Sequence, residues 1–70
     1  MEKYTRFDTE TLYFIDEFED CVVKSEPLPS GRYFVKRQQE DEFQVQHTHP
    51  SVVRSFHGLK EITKDEYDNY

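Results

Sequence analysis

Apolar and polar positions alternate along the first two thirds of this chain in short runs. Thr11-Leu12-Tyr13-Phe14-Ile15 is dense in aromatic and branched residues, as is Gly31-Arg32-Tyr33-Phe34-Val35-Lys36-Arg37. Phe43-Gln44-Val45-Gln46 alternates cleanly, with Phe43 and Val45 on one face. Cys21-Val22-Val23-Lys24 is a shorter run of the same kind, and Tyr4-Thr5-Arg6-Phe7 is a candidate edge strand. Polar or proline-bearing links separate them: Asp8 to Glu10, Asp16 to Asp20, Glu26 to Gly31 and Gln39 to Glu42. These links are too short for a parallel crossover, which needs a dozen residues or more. The pattern therefore predicts an antiparallel meander of four to five strands.

After His47 the period changes. Pro50 opens the stretch Ser51-Val52-Val53-Arg54-Ser55-Phe56-His57, and Gly58 closes it. Proline early and glycine just past the end mark a helix or helical turn. A sixth strand is the competing reading, because paired valines favour extended chain. Thr63-Lys64-Asp65-Glu66 has capping-box spacing and predicts a short C-terminal helix, with acids in its first turn. So short a helix is not stable alone. It must dock, through Ile62, Tyr67 and Tyr70. The expected fold is α+β: one small domain over residues 1–70, an antiparallel meander with a short C-terminal helix. The expected core is Phe7, Leu12, Phe14, Phe18, Val22, Phe34, Val45, Phe56, Leu59 and Ile62. Period two must turn either Phe34 or the Tyr33 and Val35 pair inward, and Phe34 is taken.

Composition narrows the function. The chain has 70 residues, 15 acids and 9 bases, for a formal charge of -6. That balance argues against direct nucleic-acid binding, which needs a cationic surface. No apolar run approaches the roughly twenty residues of a membrane-spanning helix. Low hydrophobicity with net charge leans toward disorder, and eleven aromatics spread along the chain lean back toward a folded core. One cysteine, Cys21, rules out an internal disulfide. The start at Met1-Glu2-Lys3-Tyr4 lacks the basic and apolar regions of a secretory signal. A cytoplasmic protein is the expectation.

The acids carry the sharper reading. In a meander, alternate turns share one end of the sheet. Asp16, Glu17, Glu19 and Asp20 would then meet Glu40, Asp41 and Glu42 at one pole, offset only by Lys36 and Arg37. Such a pole can steer a basic partner, and acids in turns also simply keep a small protein soluble. With Phe18 and Phe43 as apolar anchors, the pole points to a non-enzymatic protein-binding module. Its partner would be a larger protein with a basic surface of the nucleic-acid-binding type. Two other readings stand beside it. One is a structural or regulatory homo-oligomer joined through Tyr67 and Tyr70. The other is a metal-binding protein using His47, His49 and His57, although their spacing matches no zinc motif. Cys21 lies in an apolar run, the setting of an inert buried thiol. With two glycines, phosphate loops and dinucleotide fingerprints cannot be built, and no cofactor is expected.

The ending Glu61-Ile62-Thr63-Lys64-Asp65-Glu66-Tyr67 resembles the E-I-T-x-x-E-Y endings of many small phage and mobile-element proteins. It covers seven residues and transfers no functional residue. The resemblance implies an inhibitor of host nucleic-acid machinery, of the anti-restriction or anti-CRISPR kind.

Overall fold

A computed structural model describes residues 5–70. Five strands form one antiparallel sheet: β1 (Leu12–Asp16), β2 (Cys21–Ser25), β3 (Tyr33–Arg37), β4 (Phe43–Val45) and β5 (Lys60–Ile62). Three short helices accompany them: α1 (Arg6–Thr9), α2 (Pro50–Phe56) and α3 (Lys64–Asp68). The architecture is α+β, as the pattern predicts. Strands β1 to β4 form the expected meander, and β5 pairs with the free side of β1, giving the order β4-β3-β2-β1-β5. The fourteen residues between β4 and β5 hold α2 and carry the chain from one edge of the sheet to the other. None of the helices among the described residues is long and apolar enough to cross a membrane.

The sheet is covered on both faces. Leu12, Phe14, Cys21, Val23 and Val35 point to one face and pack with Val52 of α2. Phe7 of α1 closes that layer, stacked on Phe14 with ring centroids 5.6 Å apart and tilted on Phe56 at 4.7 Å. The opposite face carries Tyr13, Ile15, Val22 and Ile62, and Tyr67 of α3 covers it. Tyr67 lies 5.1 Å from the Tyr13 ring and is only 2% exposed. Burying an aliphatic or aromatic side chain stabilises by about 1.5–3 kcal/mol. The buried apolar residues are thus divided between two thin layers, one on each face of the sheet.

Local chemistry sets the helix ends. At α3, Glu66 N–H donates to Thr63 Oγ1 (3.1 Å) and Thr63 N–H donates to Glu66 Oε1 (2.9 Å). This is the predicted capping box. At α2, Pro50 stands in the first turn and His49 Nδ1 accepts from Ser51 N–H at 3.1 Å. Gly58, at φ +116°, takes a left-handed conformation just beyond the helix. The helical reading of 51–57 holds, and the sixth-strand alternative does not.

Four expectations change. Thr5 to Phe7 do not form an edge strand; Thr5 caps α1, its N–H donating to Asp8 Oδ2 at 3.0 Å. Tyr4, the first residue of that proposed strand, lies outside the described residues, as does the Met1–Tyr4 start. Val35 and Tyr33 face the α2 layer, and Phe34 lies on the other face with Lys24 Nζ 4.5 Å above its ring. Phe56 is 44% exposed at the rim of the core. Phe18 is no core residue: it stands 84% exposed on the β1–β2 turn.

Candidate functional site: the acidic end of the sheet

Cys21 pairs with Arg37 across β2 and β3, and Asp16 pairs with Cys21 across β1 and β2. Both turns therefore leave from the same end of the sheet. The structure brings together the seven acids that the meander argument grouped, but they play different roles.

Asp16 is structural. It is fully buried, pointing toward α2 beside Leu12 and Phe14. Its Oδ1 accepts from Phe18 N–H at 3.0 Å, and its Oδ2 accepts from Arg54 Nε at 2.9 Å. Arg54 Nη2 lies 2.8 Å from the same oxygen and 3.6 Å from Glu19 Oε2. Burial pushes the Asp16 carboxyl up. Hydrogen bonds from Ser51, Arg54 and Phe18 N–H, with the Arg54 charge, outweigh it and hold the carboxyl below its ordinary value. A partner cannot reach Asp16.

Glu42 is also engaged. It accepts from Lys24 Nζ at 3.1 Å and from the Tyr67 hydroxyl at 2.8 Å. Burial first, and then this bond, push the Tyr67 phenol far above its ordinary value, so it stays a donor. Five acids remain outward: Glu17, Glu19, Asp20, Glu40 and Asp41. Lys24 and Arg54 must be counted with Lys36 and Arg37. The pole then sets seven acids against four bases, less negative than the sequence implies but still acidic.

The β1–β2 turn is tied at each step. Glu19 N–H donates to Asp16 O at 3.3 Å, and Asp20 takes a left-handed φ of 50°. Arg37 Nη1 donates to Glu19 O at 3.1 Å, and the Arg54 guanidinium stands 5.9 Å from the Phe18 ring centroid. Phe43, 46% exposed, opens β4 at the same end. Sequence reasoning missed Arg54 as the brace. It also read Asp16 as a surface acid, although positions 12, 14 and 16 share one strand face.

The other candidates separate. Tyr67 is spent inside the molecule, covering the sheet, and has no surface to give an oligomer. Tyr70 is half-buried at the acidic pole, where its carbonyl accepts from Gln39 N–H at 2.7 Å. His49 caps the start of α2 and His57 follows its end, so the two stand at opposite ends of one helix. His47 is exposed before it. Among the described residues, no three His, Cys, Asp or Glu side chains stand close enough to hold a metal. Cys21 Sγ lies 3.4 Å from Ser51 Oγ, but both are sealed beneath α2. Burial pushes the thiol up, the opposite of nucleophile activation. A cleft of about 290 Å³ beside α3 sets Lys24, Lys36 and Lys64 against Asp41, Glu42 and Asp68. Lys64 bonds Asp68 at 2.7 Å, so two of the three lysines are already ion-paired. The Glu61–Tyr67 ending is accounted for by the β5 edge, the capping box and the buried Tyr67.

No family model and no curated protein matches the chain. Among solved structures, it is similar to one chain in the crystal structure of the complex between the Type VI effector Tas1 and its immunity protein. The two chains share 26% of residues and superpose with a TM-score of 0.76, over 97% of this chain and 91% of that one. They share one fold from end to end, and they are close in length.

Proposed function

We propose that this chain is an immunity-type protein: a non-enzymatic module that binds a larger toxic effector protein and neutralises it. The observation that carries the proposal is the end-to-end likeness to a chain of similar length from an effector–immunity complex. The site supports the immunity role over the effector role. The meeting of Cys21, Ser51 and Asp16, the nearest approach to a nucleophile constellation, is sealed, and its neighbouring histidine, His49, has its Nδ1 engaged by the Ser51 backbone N–H. Exposed chemistry gathers instead at the acidic pole, which is suited to binding.

In its finer form, the proposal takes the facing surface of the effector to be basic, of the kind that holds a polynucleotide. Glu17, Glu19, Asp20, Glu40 and Asp41 would compete for that surface. The charge would speed encounter and weaken with salt. A lone cysteine kept as a buried free thiol suits a reducing compartment, and we place the action in the cytoplasm.

The test is protection. The products of the genes flanking this chain's gene are expressed one at a time in a sensitive bacterium, with and without the chain. Restored growth, together with a stable one-to-one complex in size-exclusion chromatography, is the expected result. Unrelieved toxicity with no complex at micromolar concentrations overturns the reading.

A further inference from the structure

We propose that Phe18 is the anchor of this chain's interface, inserting into an apolar socket of the effector rimmed by lysine or arginine side chains. The inference rests on the immunity-type reading and names the surface that performs it. A phenylalanine 84% exposed on a tight turn is unusual, because turn tips favour Gly, Asn, Asp and Ser. No core face lies within its reach, since the chain reverses directly beneath it. Removing such a ring from water is favourable in a partner's socket as in a core, before the costs of association are met.

The turn is built before any partner arrives. Asp16 accepts from Phe18 N–H, Arg37 holds Glu19 O, and the Arg54 guanidinium faces the ring. Arg54 is itself fixed by the buried Asp16 carboxylate. Binding then loses little further chain entropy, as expected for a preformed anchor. Charge states the chemistry of the socket. Glu17, Glu19 and Asp20 are neighbours of Phe18 along the chain, and Glu40 and Asp41 share its end of the sheet. Glu19 has Arg54 at 3.6 Å, but a socket with an acidic or neutral rim would leave the other carboxylates desolvated without partners. A cationic rim pairs them. Phe43 is the weaker contact, being half-covered by its own strand and sheet.

The experiment measures the affinity of the full chain for the effector that the protection test identifies. Native, Phe18→Ala, Phe18→Leu and Phe43→Ala chains are compared at about 0.05 and about 0.5 M salt. Circular dichroism confirms that each variant is folded. Phe18→Ala should weaken binding by about 30-fold or more, the scale of an interface hot spot, with Phe18→Leu recovering part of the loss. Phe43→Ala should cost less than Phe18→Ala, and salt should slow association of the native chain. Phe18→Ala binding within about threefold of native overturns the anchor and leaves the immunity reading standing. Tight binding that does not respond to salt overturns the cationic rim. A native chain that does not bind the effector overturns the immunity reading itself, and this inference with it.

Discussion

The β1–β2 turn and the β3–β4 turn stand at the same end of the sheet, and each carries acids and a phenylalanine. They use them in opposite ways. The first turn sends one acid, Asp16, inward as a brace and leaves Phe18 and three acids outward. The second ties its last acid, Glu42, across the sheet to Lys24 and Tyr67 and lays Phe43 along a strand. Charge at a pole therefore does not by itself mark an interface. What separates the turns is an exposed apolar group on a backbone that is already fixed.

Breaking the brace should have the largest effect. Asp16→Ala strands Arg54 and frees Phe18 N–H. A loss of about 3 kcal/mol in denaturant unfolding is expected, at the lower end for a broken buried pair because Arg54 is partly exposed. The same brace sets a pH dependence. The folded Asp16 carboxyl lies below its ordinary value of 3.8, so its contribution is complete above that value. It is lost as pH falls through the lower, folded value. Acid unfolding of the native chain should therefore be steeper than that of Asp16→Asn.

Untying the second turn should matter less. Glu42→Gln removes a partly exposed ion pair, and Tyr67→Phe removes one hydrogen bond while keeping the ring. About 1 kcal/mol or less is expected for each, measured by the same unfolding. The smallest effect on stability belongs to Phe18→Ala, within about 0.5 kcal/mol of native. A side chain that barely affects folding and strongly affects binding is the signature of an interface residue. A Phe18→Ala loss as large as that of Asp16→Ala would erase the distinction between brace and anchor.

The hairpins were legible because each is a β-rich run bounded by polar or proline links. The C-terminal helix was legible because Thr63 and Glu66 stand at capping-box spacing. β5 was not, since Lys60-Glu61-Ile62 offers one apolar residue, and only its pairing with β1 makes it a strand. The residues of α1 were read as the end of an edge strand, Tyr4 to Phe7, and a polar turn, although Thr5 and Asp8 already have the spacing of a cap. The choice between Phe34 and Val35 depended on which helix covers which face, and that is tertiary information. At the site, the grouping of the two turns followed from the meander. Its division into brace and tie did not, and the anchor was shared between Phe18 and Phe43 without a choice between them. The charge of Asp16 hid a strand parity shared with Leu12 and Phe14, and Phe18 was read both as core and as anchor, of which the turn leaves only the exposed position.

One paired measurement tests the inequality of the two turns most directly. Glu17 and Glu40 are both exposed, one on each turn. Glu17→Lys and Glu40→Lys change the charge of the chain equally. Their affinities for the effector proposed as partner are measured side by side at low salt. The account predicts that Glu17→Lys, beside the anchor, weakens binding about tenfold more than Glu40→Lys. Equal losses, or a larger loss from Glu40→Lys, would contradict it.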